Sequence, residues 1–172
     1  FSLHKGEVTG FLGLNGAGKT TTMKMMTGAL EPDQGSVSVL GYSILTQREQ
    51  AQKHIGYLPE HNPLYTDMYV KEYLSYVADI YKAPKRRIEE SIALTQLESH
   101  AHKKIHTLSK GYRQRIGLAS TLLHDPDVLI LDEPTNGLDP QQILEIRQII
   151  RDLGREKVVL LSSHIMQEIQ AV

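Results

Sequence analysis

"GEVTGFLGLNGAGKT", Gly6 to Thr20, decides how the rest of this chain is read. Its first half is a short apolar run of strand type. Its second half follows a fixed pattern: glycine at Gly13, four residues, glycine at Gly18, then Lys19 and Thr20. That is the spacing of a phosphate-binding loop between a strand and a helix. The chemistry demands it. Gly13, Gly16 and Gly18 let the backbone wrap close to phosphate oxygens. The N–H groups of Asn15, Gly16, Ala17, Gly18, Lys19, Thr20 and Thr21 are expected to point inward at a helix N-terminus, which favours anions. Lys19 supplies a charge for the β- and γ-phosphates, and the Thr20 hydroxyl is a ligand for Mg²⁺.

The stretches on either side fit the same architecture. A helix is predicted over about Lys19 to Ala29. "EPDQGSVSVLG" reads as a turn and a strand, and "KHIGYLPE" as a further short strand. "DVLILDEP" is a buried strand stopped by Pro134, and "EKVVLLSSH" a second one. Between them "LDPQQILEIRQIIRDLG" is a helix with Asp139 as N-cap and Pro140 in the first position. Strands alternating with helices predict an α/β fold with a mainly parallel sheet flanked by helices. The stretch from Leu64 to about His106 reads as purely helical and interrupts the alternation, and the interruption is bounded at about 64–124. It is therefore assigned to a helical insertion subdomain of one domain covering 1–172. Within it Tyr69, Tyr73, Tyr76 and Ile80 recur at helical spacing, which predicts a stripe packed on the core, with a docking surface for a partner subunit as the second reading.

Composition limits the function. The 172 residues carry 19 basic and 20 acidic side chains, so no strongly basic balance points to nucleic acid. The absence of cysteine excludes disulfides and a thiol nucleophile. No apolar run approaches the length of a membrane span. The chain starts at Phe1 and is expected to be a piece of a longer protein. The basic residues Lys103, Lys104, Lys110, Arg113 and Arg115 read as a solvated face.

Two more strands end in chemistry. Asp132 and Glu133 follow four apolar residues directly; Asp132 suits a Mg²⁺ ligand and Glu133 a general base for an attacking water. His164 lies just past "LLSS". Parallel sheets bind ligands beyond the carboxyl ends of their strands, so one common site accounts for all three positions. "LSKGYRQR", Leu108 to Arg115, adds a puzzle: Gly111 stands in the first turn of a helix capped by Ser109, where glycine weakens a helix. A second anion site explains it, with Ser109 donating its hydroxyl and Gly111 leaving room for a phosphate.

These segments together resemble the ATP-binding domain of ABC transporters, a P-loop NTPase fold. "GLNGAGKT" is similar to the family's Walker A loop, "LSKGYRQR" to its signature, "VLILDEP" to Walker B, "NGLD" to the D-loop, and His164 to the switch histidine. "YLPEHNPLYTDMYVKEYLSYVADIY" is similar to the branch that serves bacterial ABC-2-type exporters, gliding-motility subunits included. The resemblance implies an ATPase using ATP and Mg²⁺, with Glu133, His164 and Lys19 as catalytic residues. It implies a head-to-tail dimer with a second ATP-binding domain, in which Ser109 and Gly111 complete the neighbour's site. Asn136 and Asp139 lie at that interface. Further implications are a membrane permease as partner, a cytoplasmic location on the inner membrane face, and no nucleic acid. A soluble ABC ATPase acting on DNA or ribosomes is the alternative.

Some positions depart from the family pattern. Lys110 and Tyr112 replace the usual signature glycine and glutamine, and Leu14 replaces a common proline. Glu60 occupies the Q-loop position, where a carboxylate retains the capacity to bind Mg²⁺. The adenine-stacking residue is expected upstream of this chain.

Overall fold

The computed structural model describes residues 1–170. The chain divides into two compact units. One comprises Phe1–Glu60, Pro126–Pro134 and the stretch from Ile150 onward; the other comprises His61–Asp125 and Thr135–Ile149.

The first unit is built on a four-stranded parallel sheet. Its strands are β1 (Val8–Leu12), β4 (Ile55–Leu58), β5 (Val128–Leu131) and β6 (Val158–Ser163), in the spatial order β1-β6-β5-β4. The sequence explains that order. β5 and β6 are apolar or small at every position and buried throughout, as central parallel strands must be. β1 is only partly buried and occupies an edge. Helix α1 (Lys19–Met26) follows the glycine-rich loop and ends earlier than the spacing predicts, because Gly28 takes the left-handed conformation just beyond its C-cap, Thr27. Strands β2 (Ser38–Val39) and β3 (Tyr42–Ser43) form a hairpin, turned by Leu40 and Gly41, both at positive φ. Helix α2 (Arg48–Gln52) is a single turn and a half that sequence periodicity is too short to reveal. Met23, Ile44, Ile130 and Leu160 lie at the centre of this unit's core.

The second unit is helical. It contains α3 (Val70–Tyr81), α4 (Arg86–Leu94), two short 3₁₀ turns and α5 (Lys110–Leu122). Its core gathers Leu74, Ile92, Leu97, Ile105, Ile116 and Leu123. It also includes the stretch from Thr135 to Ile149, hence most of α6 (Pro140–Gly154). Helix α7 (Met166–Gln170) follows β6 in the first unit.

The tyrosine stripe divides. Tyr73 is buried, whereas Tyr69 stands at the N-cap of α3 and is exposed, as are Tyr76 and Ile80. The buried face runs through Val70, Tyr73, Leu74 and Ala78. The solvated reading of the basic cluster fails at Arg115, which is buried and ion-paired to Glu145. Burying that guanidinium requires a carboxylate, and Glu145 on α6 supplies it.

Candidate functional site: a phosphate-type loop with a carboxylate pair

Three of the four parallel strands end at one place. β1 runs into the loop Gly13–Gly18, β5 into Asp132 and Glu133, and β6 into His164. The Gly13 N–H donates to Ser163 O at 3.3 Å, joining the start of the loop to the end of β6. Gly16 and Gly18 adopt φ of 82° and 90°. A side chain at Gly18 would strain the left-handed backbone that opens α1.

Lys19 is buried and folds back over the loop. Its Nζ donates to Gly13 O at 2.6 Å and to Leu14 O at 3.2 Å. The same Nζ lies 3.3 Å from Glu133 Oε1, an ion pair whose hydrogen-bond alignment is poor. Glu133 Oε2 meets His164 Nδ1 at 2.9 Å. Lysine, glutamate and histidine from three separate strand ends thus form one chain of contacts. Glu133 is held at φ 48°, an unusual conformation for a residue with a side chain.

Asp132 is fully buried. Its Oδ2 accepts from Thr20 Oγ1 at 2.7 Å, and its Oδ1 from Ser162 Oγ at 2.6 Å. Ser162 Oγ in turn accepts from the Glu133 N–H at 2.8 Å. Ser162 therefore braces both carboxylate residues, a role that the sequence reading did not assign. Its only sequence signal is a hydroxyl at the end of a run of buried apolar residues. Tyr57 on β4 lies nearby. Its hydroxyl is buried without a hydrogen-bond partner, and burial pushes it up to about 12, with the Asp132 charge as the lesser cause.

A cavity of about 280 Å³ is lined by Asn15, Gly16, Gly18, Lys19, Thr20, Thr21, Glu60 and Glu133. Glu60 comes from the segment after β4. Ala17 stands apart from the other loop positions. Its N–H donates to Leu14 O at 3.1 Å and so closes the loop.

The donors fit a hard divalent cation. Thr20 Oγ1 and Asp132 Oδ2 are adjacent oxygens, and Glu60 lines the same cavity. Mg²⁺ is bound through one or two carboxylates and completes its shell with other oxygens from water and phosphate. Among the described residues, no group of three or more His, Cys, Asp or Glu could hold a metal without such help.

A second cluster forms wholly within the helical unit. Ser109 caps α5, its Oγ accepting from the Tyr112 N–H at 3.5 Å. Asp139 Oδ1 accepts from the Gln142 N–H at 3.0 Å and caps α6. Gln142 Nε2 donates to Ser109 Oγ at 3.1 Å. Gly111 is buried, and a Cβ built there would overlap the Gln142 carboxamide. Asn136 is exposed in the turn before Gly137.

A parallel sheet with this loop at one strand end and a carboxylate pair at another defines a P-loop nucleoside-triphosphate-binding protein. The chain belongs to the ABC transporter family, whose model matches residues 1–136. It is 47% identical over 173 residues to the uncharacterized ABC transporter ATP-binding protein YhcH of Bacillus subtilis, covering 99% of this chain and 57% of that protein. It is 40% identical over 177 residues to the ABC transporter ATP-binding protein NatA of the same organism, covering 99% of this chain and 72% of NatA. Among solved structures, cbiO1 of Clostridium perfringens, part of the cbiONQ transporter complex, is similar with a TM-score of 0.84 at 30% identity. That match covers 96% of this chain and 70% of cbiO1. The chain thus spans little more than half the length of YhcH.

Proposed function

We propose that this chain is the ATP-binding and ATP-hydrolysing part of an ABC transporter subunit. The observation that carries the reading is the meeting of Lys19, Thr20, Asp132, Glu133 and His164 at the carboxyl ends of β1, β5 and β6. The phosphates of ATP lie on the N–H groups between Asn15 and Thr21 other than that of Ala17, with the Lys19 ammonium on the β- and γ-oxygens. Thr20, Asp132 and Glu60 hold Mg²⁺, which when bound neutralises charge on those phosphates. Glu133 takes a proton from water as the water oxygen bonds to the γ-phosphorus and the bond to the β-bridging oxygen breaks, leaving ADP and phosphate. His164 orients Glu133 and contacts the γ-phosphate.

Two such domains close head to tail, and Ser109 and Gly111 of each complete the neighbour's site. Asn136 and Asp139 border that interface. A membrane permease receives the motion, which locates the subunit on the inner face of the membrane. Among the described residues, no helix is long and apolar enough to cross a membrane, so this reading assigns the crossing to other segments or chains.

The test uses the full-length protein with its membrane partner. Glu133→Gln is expected to cut ATP turnover by roughly 10²- to 10⁴-fold while ATP is still bound. Unchanged turnover would remove Glu133 from the chemistry. For the full-length Glu133→Gln subunit without its membrane partner, Ser109→Arg is expected to abolish ATP-dependent dimers, read as mass in solution.

A further inference from the structure

The Ser109 hydroxyl has one proton to give and two lone pairs to fill. In this structure two donors face its oxygen: the Tyr112 N–H at 3.5 Å and Gln142 Nε2 at 3.1 Å. With both approaches taken, the proton is what remains for an outside partner. Gln142 is itself fixed at its root, because Asp139 Oδ1 accepts from its backbone N–H at 3.0 Å. The carboxamide lies across Gly111, where any side chain would displace it. That gives the glycine in the first turn of α5 a reason internal to the subunit. It seats the group that turns Ser109.

We propose that Gln142 is a positioning residue which presents the Ser109 hydroxyl as a hydrogen-bond donor to phosphate. The proposal rests on the reading of Ser109 as a phosphate contact in a neighbour's site. It connects Asp139, through the backbone N–H and side chain of Gln142, to Ser109 within one subunit. Gln142 touches no phosphate in this scheme and acts only through Ser109.

ATP trapping in full-length protein carrying Glu133→Gln, assembled with its membrane partner, tests it. The readout is the rate at which trapped ATP is released. Gln142→Met keeps bulk over Gly111 and removes the donor, and is expected to speed release roughly fivefold or more, the worth of about one hydrogen bond. Gln142→Glu reverses the polarity and should speed it further. In a Ser109→Ala background, already fast, neither change should add more than about twofold, since a residue acting through Ser109 has nothing left to act on. Equal additional loss in that background would overturn the proposal, as would slower release from Gln142→Met, the sign of a plug. If Ser109→Ala itself leaves release unchanged, the signature reading fails, and this one with it. Fast release from Ser109→Ala combined with normal release from Gln142→Met would overturn the role of Gln142 alone.

Discussion

Asp132 keeps its two oxygens on different neighbours, Thr20 and Ser162, and the second of these also holds the Glu133 N–H. Ser162→Ala therefore strands a buried carboxylate oxygen and a buried N–H together. The expected loss is about 1–3 kcal/mol of stability, with slower ATP turnover, checked by urea unfolding and an ATPase assay. Tyr57 is the opposite case, a buried hydroxyl with no partner. Tyr57→Phe should be neutral or slightly stabilising at pH 7. Its phenol is raised to about 12 by burial first and Asp132 second, above the ordinary value of 10.0. Its contribution is complete below pH 10 and is lost as pH rises toward 12, where the unfolded chain ionises first. The Phe variant should lack that loss in melts taken across the same range. At this scale Lys19, Thr20, Asp132 and Glu133 were legible, because motif spacing names them. Ser162 was not, since a serine closing a strand has no periodic signature. Nor was Gln142, whose partner Ser109 lies 33 residues away along the chain.

Helices α5 and α6 are joined by the ion pair of Arg115 and Glu145, and Gln96 Oε1 also accepts from Arg115 at 3.3 Å. Arg115 is 4% exposed. Glu145→Ala leaves this guanidinium buried without its carboxylate and should cost on the order of 2–3 kcal/mol, less than a fully buried pair. Arg115→Met removes the charge and fills the space, and should cost less than Glu145→Ala. Thermal melts of the two variants of the full-length chain compare them; the reverse order would mean that packing outweighs charge here. The element scale also shows where periodicity misleads. Spacing identified α3, but of its tyrosines only Tyr73 shares the face that Val70, Leu74 and Ala78 bury, while Tyr69 and Tyr76 stand outside it. Tyrosine's amphipathic ring is at home on either side of such a boundary. The basic cluster misled for a related reason: a run of charges looks solvated until a distant carboxylate is found to face one of them.

For the whole molecule, alternation of strands and helices predicted the parallel sheet, and the even burial of β5 and β6 sets its order. The helical unit was legible as an interruption of that alternation. Its inclusion of Thr135–Ile149 was not, because this depends on contacts such as Arg115 with Glu145 that join stretches far apart in sequence. A ligand that binds the native state alone stabilises it by mass action, about 2.7 kcal/mol at a hundredfold excess over Kd. ATP with Mg²⁺ should therefore raise the melting temperature of the full-length Glu133→Gln protein, and Lys19→Ala should remove most of the shift. An equal shift in Lys19→Ala would place the nucleotide elsewhere. The position of Lys19 bears on which cation can serve there. Its ammonium lies on two carbonyls and beside a carboxylate. That seat is cut for a compact, freely turning cation, so a flat guanidinium at position 19 would keep the charge and lose the fit.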